Sequence, residues 1–178
     1  MRPEHGFSLL EFVLGLTILA IVLGGATLFF ASQPRQLDPV FQFRAVSLAE
    51  GLVEQVLAVK YDGQNNPNMQ QRCDITPGFD CTVEAEFGTE EEADKGLITR
   101  FDDVDDFSDW CDGGALDGEQ LATQLGLSQA ALYRRFTVES CVTPSTDAKG
   151  QPFKEVTIGI SIARGSTLSF TLHRYNLR

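Results

Sequence analysis

The sequence predicts an α+β protein in which a long N-terminal helix, its first half membrane-spanning, packs on an antiparallel β-sheet head. Three observations carry this. Residues 7–31 form one uninterrupted apolar run, apolar side chains recur at helical spacing from Phe41 to Val59, and two alternating runs close the chain.

Within 7–31 the only polar side chains are Ser8, Glu11, Thr17 and Thr27. As a helix that run would reach roughly 37 Å, longer than a hydrocarbon core of about 30 Å. Gly24-Gly25 inside it is expected to give a flexible point or a place for close helix packing. Pro34 and Pro39 each remove a helix hydrogen bond, so the rod should bend or break over 32–39.

Regular structure should resume at Val40. Phe41, Ala45, Leu48, Leu52, Val56 and Val59 make one stripe, with Arg44, Glu50, Glu54 and Lys60 largely elsewhere, so this helix should lie on the sheet. Strands are expected at 82–87, where Val83, Ala85 and Phe87 share a face, and through Phe136, Val138, Ser140 and Val142. The clearest hairpin joins Val156, Ile158, Ile160 and Ile162 to Leu168, Phe170 and Leu172 through a turn at Arg164-Gly165-Ser166. A short helix is expected over 119–133.

The 178 residues carry a formal charge of −11, which argues against nucleic acid and against docking on anionic lipid. Cys73, Cys81, Cys111 and Cys141 all follow the apolar run, and none stands in a C-x-x-C pair. An even number fits two disulfides in an oxidising compartment such as the periplasm. Of the three possible pairings, proximity favours Cys73–Cys81, leaving Cys111–Cys141; the alternative is four buried thiols.

The one stretch that could carry chemistry is acidic: Asp102, Asp103, Asp105, Asp106, Asp109, Asp112, Asp117 and Glu119. Oxygen ligands at this density could hold Ca²⁺ on Asp102, Asp103, Asp105 and Asp106, although the EF-hand pattern is absent. The competing expectation is that Phe101, Phe107 and Trp110 pin the loop to the core and leave its carboxylates in water. His5 and His173 stand apart, no nucleophile, phosphate-loop or metalloprotease motif is present, and no catalytic residue or other cofactor is expected.

The N-terminus admits three explanations. A secretory signal wants a basic start and a shorter apolar stretch. A plain membrane anchor leaves Glu11 unexplained, since a carboxylate in a spanning helix is costly, unless it merely sits at the interface. The third takes Gly6-Phe7-Ser8-Leu9-Leu10-Glu11 and the apolar run together, and this pattern resembles the type IV prepilin signal.

The resemblance implies a pilin-like fold, with a leader at 1–6, a transmembrane assembly helix at 7–31, a bend and amphipathic helix at 32–60, and a periplasmic head at 61–178. It implies that prepilin peptidase cuts between Gly6 and Phe7 and methylates the amino group of Phe7. It also gives Glu11 an assembly role, its carboxylate meeting the Phe7 amine of a neighbouring subunit. The expected partners are that peptidase, other pilin subunits and the inner-membrane assembly machinery, with the pilus as destination. Residues 38–62 and 101–107 further resemble minor pilins of mannose-sensitive haemagglutinin pili. The rival expectations are a minor pseudopilin of a type II secretion system and a bitopic periplasmic binding or sensor module.

Overall fold

A computed structural model describes residues 9–32, 39–162 and 167–177. The chain forms two compact units, Met1–Gln36 and Leu37–Arg178.

The first unit is helix α1, Leu9–Ser32, 24 residues long. Its stretch Leu9–Phe29 has a mean hydropathy of 2.4, and none of it is buried among the described residues. The Thr17 and Thr27 hydroxyls bond back to the carbonyls of Leu14 and Gly24, each at 2.8 Å. That satisfies the two groups inside the helix, as an apolar surrounding requires. The helix runs through Gly24-Gly25 without a break. The expected bend falls mainly on residues 33–38, outside the described residues.

The second unit begins with α2, Pro39–Ala58. Proline at its first residue costs no intrahelical bond. The stripe turns inward: Ala45, Leu48, Ala49, Leu52 and Val56 are buried, and Phe41 and Val59 pack against them. They meet a four-stranded antiparallel sheet of order β1-β2-β3-β4, made of Leu116–Asp117, Phe136–Thr146, Pro152–Ile162 and Thr167–Tyr175. This is the α+β, pilin-like arrangement. Strands β3 and β4 pair from Phe153↔Tyr175 to Ser161↔Thr167; their connecting turn lies outside the described residues.

Two expected elements differ. Residues 82–87 are not a strand but hold a 3₁₀ turn, Glu84–Glu86. The Thr82 N–H, which a ladder would need, donates to the Asp62 carboxylate at 3.1 Å, and the Thr82 hydroxyl does the same. The helix expected over 119–133 is divided into α3, Gly118–Gln124, and a 3₁₀ turn, Ala130–Tyr133. Gly126 ends α3 with a φ of 68°. The N–H groups of Gly126 and Leu127 then close onto the carbonyls of Thr123 and Ala122, a Schellman ending that stops the helix.

Two disulfides brace the head. Cys73–Cys81 closes a loop after α2, and Cys111–Cys141 ties the 3₁₀ segment Asp105–Trp110 to β2. Each such link contributes about 2–4 kcal/mol, largely by restricting the unfolded chain. The core cluster draws on Phe41 and residues beyond it.

Candidate functional site

Two features stand out, one in each unit. In the first, Glu11 lies in the opening turn of α1, on a helix that is otherwise apolar on every face. Leu10, Phe12, Ile21 and Leu28 are each more than 60% exposed. A surface of this kind in water would be far outside the range of ordinary patches on soluble proteins, so it belongs in lipid or against other helices. Gly6 and Phe7 lie outside the described residues.

In the second unit the acidic segment departs from expectation. Phe101, Phe107 and Trp110 do enter the core, with ring centroids 5.0 to 6.3 Å apart. Their neighbours are not left in water, however: Asp103, Asp105 and Asp106 are buried, together with Asp62. The solvated acidic face is therefore incorrect for these residues. A buried carboxylate needs donors, and the fold provides them.

The main donor is Lys154. On β3 it follows the same alternation as Val156, Ile158 and Ile160, so period-two geometry turns it to the core side. Its ammonium donates to the Tyr61 carbonyl at 3.0 Å, to Asp62 Oδ2 at 2.7 Å and to Asp105 Oδ2 at 2.7 Å. Three protons meet three acceptors. Asp105 Oδ1 is also 2.6 Å away but lies off the line of an N–H. The rings of Tyr61 and Phe87 flank the charge at 4.7 and 5.1 Å, which adds cation–π attraction.

Around this centre the other carboxylates hold backbone. Asp62 takes the Gln64 and Thr82 N–H groups. Asp103 accepts from the Asp105 N–H at 2.7 Å, and Asp106 from those of Asp102 and Asp103. Asp102 faces outward and pairs with Lys60 at 2.6 Å. Asp109 receives both donors of Thr89, and Asp117 caps α3. Thus at least one oxygen on each of the four residues considered for Ca²⁺ is directed at a protein donor. Among the described residues those four form no converging metal-ligand group; Asp62, Cys73 and Cys81 do, but both sulfurs are in the disulfide.

One ammonium faces two carboxylates, and the two titrate differently. Burial pushes Asp62 up, but Lys154 and the Gln64 and Thr82 N–H groups outweigh it and hold the carboxyl below its usual range. At Asp105 burial wins over Lys154 and raises the pKa to about 7. Burial likewise lifts Asp106 to about 6, against the two N–H groups it accepts.

Asp105 and Asp106 therefore keep protons in the folded head that the unfolded chain has already released, and stability falls as pH rises from about 4 to about 7. Asp62 has the opposite sign and loses its contribution only as pH drops through its lowered value. Thermal unfolding of residues 37–178 should give a higher Tm near pH 5 than near pH 8, roughly the two sides of that window. Asp105→Asn should flatten the slope between; an equally steep slope in the variant would show that Asp105 does not titrate there.

Sequence reasoning missed Lys154 and Asp62. The available signal was the strand itself, since extending the alternation back by one step from Val156 reaches Lys154.

Residues 1–27 match the family model described as the prokaryotic N-terminal methylation motif. No curated protein and no solved structure matches the chain. The matched stretch includes Gly6, Phe7, Glu11 and most of α1. With the α+β pilin-like fold, it supports a type IV prepilin-like protein, a pilin-like or pseudopilin subunit anchored in a membrane. Proteins of that kind are structural subunits rather than enzymes.

Proposed function

We propose that this chain is a minor pilin-like structural subunit of a type IV pilus, processed by prepilin peptidase and assembled through α1. Within that class, the particular reading is the minor pilin D protein of mannose-sensitive haemagglutinin pili, supported by the resemblance over 38–62 and 101–107. The observation that carries the class is the methylation motif at 1–27 with a 24-residue helix that is apolar apart from Glu11 and a few small hydroxyl side chains. The head is the periplasmic part, and in the filament it supplies lateral contacts or an exposed surface.

Processing tests this directly. Expressed with its peptidase, the mature chain should begin at N-methylated Phe7, read by mass spectrometry of its N-terminal peptide. Retained Met1, or cleavage near Ala26, would overturn the pilin reading. Gly6→Leu should leave a membrane-held precursor, because the peptidase needs a small residue before the cut. Abundance in sheared pili then separates a pilus subunit from a pseudopilin of a secretion system.

A further inference from the structure

The head contains a cavity of about 750 Å³ whose charge is opposite to that of the chain. Acidic residues outnumber basic ones 25 to 14, yet Lys60, Arg72 and Arg174 line this space and no Asp or Glu does. Its walls come from the segment between α2 and Cys73, from the end of β4 and from the two residues that follow it. Lys60 shares its charge with Asp102 at 2.6 Å. Among the described residues neither arginine has an ion-pair partner within 4 Å.

Both guanidinium groups are nevertheless held in place. Arg72 Nη1 donates to the Asn176 carbonyl at 2.9 Å, and Arg174 Nη2 to the Val59 carbonyl at 2.9 Å. Arg174 Nε is buried with no hydrogen-bond partner among the described residues. A buried donor without an acceptor is uncommon in folded proteins. Burial lowers the Arg174 pKa, and an anion beside it would favour the charged form.

We infer that this cavity binds a small sugar acid, its carboxylate taken by the Arg72 and Arg174 guanidinium groups. A guanidinium anchored at one N–H still presents others in a planar fork, which matches a carboxylate. The remaining wall suits a hydroxylated ring: the Gln71 amide can exchange hydrogen bonds with hydroxyls, and Tyr175 adds an aromatic surface. The volume lies within the range of small-molecule sites, about 300–1,000 Å³.

The test is calorimetric titration of the full chain in detergent micelles with galacturonate, galactose and a peptide copying the acidic segment 84–94. Galacturonate should bind in the millimolar range, more weakly as salt is raised, and galactose should not bind measurably. Arg72→Gln should weaken galacturonate by about tenfold or more, and Arg174→Gln should act in the same direction. Arg72→Gln guards against misfolding, since it leaves the Arg174–Val59 bond intact. Equal binding of both sugars, no binding of galacturonate, or an unchanged affinity in Arg72→Gln would overturn the inference. Binding of the peptide alone would overturn it too, and would make the cavity a contact between subunits.

Discussion

Lys154→Met is expected to destabilise the head by about 3–5 kcal/mol, a large part of the roughly 5–15 kcal/mol that holds a domain folded. Methionine fills similar space, so packing is nearly kept and the loss is electrostatic. Asp62 and Asp105 would remain buried without the ammonium that now lies 2.7 Å from each. The Tyr61 carbonyl would lose its donor as well. Urea unfolding of oxidised residues 37–178 measures the change. Adding Asp62→Asn and Asp105→Asn to Lys154→Met should recover part of it, because a neutral site no longer holds uncompensated charge. A single variant within about 1 kcal/mol of the parent would mean the triad contributes little beyond what methionine supplies.

Glu11→Gln should sharply reduce incorporation into filaments while leaving processing and insertion intact. The substitution keeps size and context and removes the charge proposed to meet a neighbour's Phe7 amine. Cleavage between Gly6 and Phe7 should persist, since the cut needs the junction more than the carboxylate. Membrane insertion should persist because a neutral side chain is easier to place in lipid. On the proposed pairing, the variant would leave a neighbour's amine buried without a counter-charge, which is severely unfavourable. The readout is abundance in sheared pili divided by abundance in membranes. An unchanged ratio would assign Glu11 to the membrane interface and end the charge-pairing mechanism.

These variants probe features of different legibility. Glu11 and its helix could be read directly because everything that defines them is contiguous: a motif, a Glu at fixed offset and an apolar run. The α2 stripe and the β3–β4 hairpin were legible for the same reason, as short-range periodicity reports which face is buried. The 82–87 alternation misled because Asp62, 20 positions before Thr82, takes the backbone donor that a strand would use. The helix expected over 119–133 overran because its apolar content outweighed Gly126, whose left-handed conformation ends α3.

By itself the sequence determined the membrane-compatible helix, its processing motif, the amphipathic helix behind it and the α+β class. Each rests on residues close together in the chain, where spacing alone sets geometry. Only the tertiary structure decided where the acidic segment goes. Lys154 is 49 residues from Asp105 and 92 from Asp62, so no local pattern could show that one cation serves both. A run of aspartates reads as solvated until a buried donor is found. Here β3 delivers that donor, and a run that looked like surface became the ionic interior of the head.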